Sequence, residues 1–172
     1  DNEYASYAAH NTVYQLFIMG YPLHELLKKA EMLDLKIEKF KQDLTLKRLR
    51  VFRQSIANLI EETQNPDVLS GNIFDESQMD LADVTKSTEI YFQNLFLQKL
   101  YLALIFNLNN NAKKYLDLAG RFQESVKGTA LYPLFYYYRS LLISDTTLNS
   151  PEKKDILIQV EKDINFLKKY EK

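Results

Sequence analysis

The residue types best suited to nucleophilic and metal chemistry are scarce in this chain: two histidines, His10 and His24, and no cysteine among 172 residues. The absence of cysteine removes disulfides, thiol nucleophiles and the commonest structural zinc sites together. His24 opens the stretch His24-Glu25-Leu26-Leu27-Lys28-Lys29-Ala30. One exposed imidazole on a helix is enough to accept a phosphoryl group, so a histidine phosphotransfer bundle is one reading of it; the ordinary one is a solvent-facing side chain in a first helical turn. His10 lies between Ala9 and Asn11, with Tyr7 and Tyr14 a turn away on either side. That setting predicts a packed, hydrogen-bonded histidine. With no second histidine at ligand spacing, neither a metal site nor a cofactor is expected.

The remaining candidates are side-chain clusters. Lys47, Arg48, Arg50 and Arg53 form a short basic run able to meet phosphate or an acidic protein. No aromatic RNA-binding signature accompanies it, so the expected role is a solvated helix face. Glu61-Glu62 and Asp75-Glu76 place carboxylates side by side, but neighbours on a helix point apart, which argues against general acid–base pairing. The most distinctive cluster is Tyr136-Tyr137-Tyr138, with Tyr132 and Phe135 just before it. Successive helical residues fan out by about 100°, so the three rings cannot share one core. At least one should line a groove for a ligand or partner, combining apolar area with a hydroxyl, and the others should pack inside.

The elements that hold these residues are read from composition and spacing. Hydrophobic residues make up 46% and charged residues 26% of the chain, which suits one soluble globular domain over 1–172. Four glycines and four prolines are too few for a turn-rich β-sandwich or barrel, so long helices are the alternative. With 22 basic and 23 acidic residues the net charge is -1, and nothing global favours nucleic acid or an anionic membrane. No apolar run reaches the roughly 18 residues of a membrane span, and the N-terminus lacks the features of a signal peptide. A reducing, cytoplasmic setting is expected. The start at Asp1 and the charged end at Lys172 suggest a piece of a longer chain.

Periodicity predicts about seven helices. The first covers Asn2 to Met19, with Tyr4, Tyr7, Ala8, Asn11, Tyr14 and Ile18 on one side and Val13, Leu16 and Phe17 on another, and Gly20-Tyr21-Pro22 ends it. The next has the cleanest stripe, Leu23, Leu26, Leu27, Ala30, Leu33, Ile37, Phe40 and Leu44, opposite a lysine-rich side. Asp43 or Thr45 is the expected cap of a third helix, whose stripe Leu49, Phe52, Ile56, Leu59 and Ile60 runs until Asn65-Pro66. An ordered loop over 66–75 and a short helical piece around Glu76 to Ala82 follow. From Leu95 to Phe106 nearly every position is apolar, interrupted only by Gln98 and Lys99, which predicts a helix buried on all sides. Asn107 to Asn111 is the turn of a helical hairpin, since Asn tolerates the left-handed conformation. Its second arm places Tyr115, Leu116, Ala119 and Phe122 on one face and stops near Gly128. A tyrosine-rich helix from Thr129 to Ser144 comes next, with Pro133 in its first turn. Ser150-Pro151-Glu152 then marks the start of a last helix with the stripe Ile156, Val160, Ile164 and Leu167. The fold class is all-α, stacked antiparallel hairpins. The first arm of the 90–122 hairpin is expected to form the middle layer, between the Tyr4–Leu33 hairpin and the tyrosine-rich helix.

Tetratricopeptide repeats are helix hairpins of about 34 residues with small residues at the closest approach. Ala112, Leu116 and Ala119 match the small, large, small pattern of such a repeat; Leu100 sits where a small residue is usual, and Asn107-Leu108 replaces a usual Gly-Asp turn. Longer stretches carry a more specific resemblance. EYASYAAHNTVYQLFIMGYPLHELLKKAEM, LRVFRQSIANLIEETQNPDVLSGNIFDESQM and LFLQKLYLALIFNLNNNAKKYLDLAGRFQESVKGTALYPLFYYYRSLL resemble the helical segment of very large bacterial signalling proteins. Those proteins join a serine/threonine kinase, an AAA-type (STAND-like) ATPase, this helical region, a GAF domain and often a histidine kinase. The resemblance runs from Glu3 to about Leu167. It implies a tetratricopeptide-like α-solenoid fragment acting as spacer and sensor arm, with the neighbouring ATPase, GAF and kinase domains or another protein as partners. It assigns no catalytic residue here.

The stretch from His24 is also similar to the phosphoacceptor box of histidine kinases, but the proline of that box is absent and four glycines cannot build the ATP-binding boxes. The leading expectation is a non-catalytic interaction region of a two-component-type kinase and ATPase. The alternatives are a stand-alone adaptor for a peptide or small ligand and, behind it, a phosphotransfer bundle using His24. The possible groove residues are Tyr132, Tyr136, Tyr137 and Tyr138.

Overall fold

The computed structural model describes residues 2–146 and 153–170, and among these every regular element is a helix. Seven α-helices are present: α1 (Asn2–Ile18), α2 (Leu23–Lys39), α3 (Asp43–Ile60), α4 (Glu89–Ile105), α5 (Asn109–Gly120), α6 (Leu131–Thr146) and α7 (Lys153–Leu167). Short 3-10 turns occupy Glu76–Gln78, Leu81–Asp83, Gln123–Val126 and Lys168–Tyr170. No helix among the described residues is long and apolar enough to cross a membrane. The expected cap at Ser150 lies outside the described residues, as does the side chain of Ile156.

Four described residues take a left-handed φ; Gly128 (φ 81°) lies in the turn before α6, and the other three sit in turns that lead from one α-helix directly to the next. At Gly20 (φ 76°) the Tyr21 N–H reaches back to the Leu16 carbonyl at 3.0 Å, and at Asn107 (φ 56°) the Leu108 N–H reaches the Ala103 carbonyl at 2.8 Å. Both are the reversed bonds that close a helix end with a left-handed residue. The third is Lys41 (φ 54°), which bears a Cβ and is strained there. This turn corrects the apolar stripe read across it. The α2 helix ends at Lys39, Phe40 is its cap, and Leu44 belongs to α3. Neither Asp43 nor Thr45 caps α3; Gln42 precedes it without a side-chain cap bond and Asp43 is its first residue.

Packing follows chain order, α1 on α2, α2 on α3, α3 on α4, α4 on α5, and α6 on α4, α5 and α7, an arrangement compatible with a helical-repeat fold. The core holds Leu26, Ile37, Leu49, Phe52, Ile56, Leu97 and Leu100, with Ala112 and Ala119 where α5 lies against α4. Every residue from Tyr91 to Leu100 is buried, Gln98 and Lys99 included. The expected middle layer needs one correction: α3, not the first hairpin, lies along α4, and α1 reaches α4 through long side chains. Tyr14 accepts a 3.3 Å bond from Gln98, and the Phe17 and Tyr101 rings meet edge to face at 5.4 Å.

Two stripes are also revised. The buried side of α1 is Ser6, His10, Val13 and Tyr14, while Tyr4 and Ile18 are exposed. On α7 the inward residue is Asp163, and Ile164 of the expected stripe faces solvent. Asp163 takes Arg139 of α6 through both its carboxylate oxygens, with Gln159 donating at 2.9 Å from the preceding turn. Pairing with Arg139, rather than apolar area alone, sets the rotation of α7.

Candidate functional site

The tyrosine run divides between two sides of α6. Tyr132 and Tyr136 turn toward α7, where Phe166 lies 5.5 Å from the first ring and 4.2 Å from the second. The Tyr136 hydroxyl donates to that of Tyr132 at 3.3 Å, and the Arg139 guanidinium stands 4.7 Å over the Tyr136 ring. Burial, and then the neighbouring Tyr132, push the Tyr136 phenol up to about 12. These two rings seal the α6–α7 seam and line no groove with the other pair.

Tyr138 points the opposite way, buried 5.6 Å from Tyr101 of α4, and burial holds its phenol well above the ordinary range. Tyr137, beside it at 5.7 Å, keeps 47% of its surface exposed. Together they form one wall of a groove of about 460 Å³ whose other walls are Phe17, Tyr21, Leu134 and Tyr101. The Gly20–Pro22 turn supplies its rim, and the Lys29 ammonium stands 5.6 Å from the Tyr21 ring centre. The groove offers aromatic faces with a cation at one edge, a surface for holding an apolar group by contact. Tyr21, Phe17 and Tyr101 escaped sequence reasoning, because they reach α6 from two other elements, Phe17 and Tyr21 from the end of α1 and the turn after it and Tyr101 from α4.

The other candidates find structural partners. Glu61 and Glu62 are exposed, whereas Asp75 bonds Ser70 and Ser77, and Glu76 pairs with Lys99. That pair lines a smaller cavity of about 260 Å³ between α4 and α5, with Lys114 and Tyr115 as its other polar side chains. The basic run is not a solvated face. Arg50 and Arg53 both bind Asp34 of α2, at 3.0 and 2.6 Å, and Arg48 is buried, leaving only Lys47 exposed. His24 is exposed in the first turn of α2.

No family model matches the chain, and no curated protein or solved structure matches it. Among the described residues no group of three His, Cys, Asp or Glu is placed to hold a metal ion.

His10 is buried, as expected, but not hydrogen-bonded as expected. Neither ring nitrogen meets a partner in hydrogen-bond geometry, although the Asn11 side chain and Arg48 backbone stand near enough to raise its pKa slightly. Burial, with the Arg48 charge second, holds the imidazole down at about 3.

Proposed function

We propose that this chain is a non-catalytic helical interaction and sensor region within a multidomain cytoplasmic signalling kinase and ATPase, and that the Tyr21–Tyr101–Tyr137 groove is where it engages a neighbouring segment of its own polypeptide. The observation that carries the reading is Tyr137, a large ring left 47% exposed at the mouth of an aromatic groove while its chain neighbours are packed. Exposed rings grouped this way favour binding over solvation. The resemblance from Glu3 to about Leu167 supports the signalling context. Lys29 at the rim selects an occupant with an apolar anchor beside an acidic residue.

A photo-crosslinking residue in place of Tyr137, introduced into the parent protein, tests this. Crosslinks to another segment of the same polypeptide support the proposal. Crosslinks to a separate protein favour the stand-alone adaptor instead, and absence of any crosslink removes the groove as a binding site. Tyr137→Ala should leave the thermal midpoint nearly unchanged while abolishing the crosslink-defined contact; Tyr138→Ala, which empties core volume, should destabilise by about 3 kcal/mol.

A further inference from the structure

Between α1, α3 and the start of α6 lies a cavity of about 240 Å³ lined by Tyr7, His10, Arg48, Thr129 and Ala130 among others. Two polar side chains buried in its wall carry nitrogens without hydrogen-bond partners, Nε of Arg48 and both ring nitrogens of His10. Arg48 is 3% exposed, its Nε meets no acceptor, and no carboxylate pairs with it among the described residues. The Tyr7 ring stands 5.6 Å from its guanidinium carbon, with Tyr14 and His10 also within electrostatic reach. His10 is 2% exposed, and both of its nitrogens lack hydrogen-bond partners. The third wall is the N-terminus of the 16-residue α6, where Thr129 Oγ1 takes the Leu131 N–H at 3.2 Å. The Ala130 N–H finds no acceptor among the described residues. A helix start carries partial positive charge and unsatisfied donors.

A guanidinium enclosed without a counter-charge, facing an unbonded imidazole and a helix N-terminus, is an incomplete set of hydrogen-bond donors. The guanidinium and the helix start call for an acceptor with negative charge, and the neutral imidazole can present its one N–H to the same acceptor. We infer that this cavity binds a small oxyanion of phosphate size, held by the Arg48 guanidinium, a ring N–H of His10 and the N-terminus of α6. Arg48 supplies charge and a planar fork; neutral His10 supplies one directional donor; the helix supplies the field. Burial lowers the pKa of Arg48 and of His10, and a bound anion relieves both costs. The site is separate from the tyrosine groove, so it gives the region a second, small-molecule input.

Titrating the protein with inorganic phosphate, against sodium chloride at matched ionic strength, tests the site by calorimetry and by imidazole nitrogen NMR. The chain has only two histidines, so His24, exposed on α2, is the internal control. The expected result is saturable binding that shifts the His10 resonances and leaves those of His24 in place. Arg48→Met, which removes the buried charge at similar volume, should fold as well as or better than the parent without phosphate and bind it about tenfold or more weakly. Phosphate effects equal to those of chloride, shifts confined to His24, or binding unchanged in Arg48→Met each overturn the inference. Because the wild-type resonances report directly, the outcome does not depend on the variant folding.

Discussion

Lys99 of α4 reaches across to Glu76 in the 3-10 turn after the 61–75 loop, with Nζ 2.6 Å from Oε1, while Oε2 of the same carboxylate accepts the Leu69 N–H at 2.9 Å. One carboxylate therefore fastens a loop to the central helix. Lys99→Met leaves Glu76 half-buried without its cation and should cost about 2 kcal/mol; the Lys99→Met, Glu76→Met double variant should recover most of that loss. A double-mutant cycle by urea unfolding measures the coupling, and a coupling near zero would show that the pair contributes little.

Asp34 should be the most sensitive carboxylate on α2. It holds Arg50 through Nε at 3.2 Å and Arg53 through a 2.6 Å bond, and its own side chain is only 4% exposed. Asp34→Ala leaves Arg50 and Arg53 only their exposed partners Glu38 and Glu31 and is expected to lose about 3 kcal/mol. Glu38→Ala, removing an exposed partner of Arg50, should change stability by less than about 1 kcal/mol. Chemical denaturation of the two variants, side by side, checks the ranking.

Stability should fall in mild acid through His10. Its imidazole is held at about 3 when folded, against 6.5 for an ordinary histidine. Between those values the unfolded chain binds a proton that the native chain refuses. The native state therefore keeps its full advantage above 6.5 and loses it progressively as the pH drops toward 3. The only charged side chain on the cavity wall around it is Arg48, which acts in the same direction. In an oxyanion-free buffer the difference in unfolding free energy between wild type and His10→Phe should slope by about 1 kcal/mol per pH unit below 6.5. A flat difference would mean that the ring is protonated in place.

The three left-handed turns make a matched set. Gly20→Ala meets no atom within 4 Å of its new Cβ, so its expected cost of about 1 kcal/mol is conformational alone. Lys41→Gly relieves the same strain in the opposite sense and should gain up to about 1 kcal/mol, less the added freedom of the unfolded chain. Thermal midpoints of the two variants should move in opposite directions.

The sequence revealed helices and turns far better than it revealed charge placement. Gly20 and Asn107 announced their turns because few residues tolerate a positive φ, and the apolar run after Leu95 announced a helix buried on every side. Lys41 gave no such signal, so the stripe of α2 seemed to run on into Leu44. Buried Asp34, Arg48 and Asp163 were illegible for a different reason. Periodicity reports polarity along one helix, whereas the partners of Asp34 lie 16 and 19 residues away on another. The tyrosine run was legible as a set that must split, but which ring stays exposed depended on Tyr21 and Tyr101 arriving from elsewhere.

The buried amides of α4 have one more consequence. Asn94 donates at 3.1 Å to the Arg48 carbonyl, and one turn later Gln98 takes the Ser55 hydroxyl at 3.0 Å and gives its own N–H to Tyr14. Sliding α4 by a turn, about 5.4 Å, in the direction that brings Leu102 opposite Ser55 would break the Gln98 bonds to both hydroxyls and leave Ser55 only its bond to the Phe52 carbonyl. The helix is keyed in its channel like a shaft and cannot serve as a piston. Under the proposed sensor role, a displacement passed from α1–α3 to α6–α7 would have to keep this register intact.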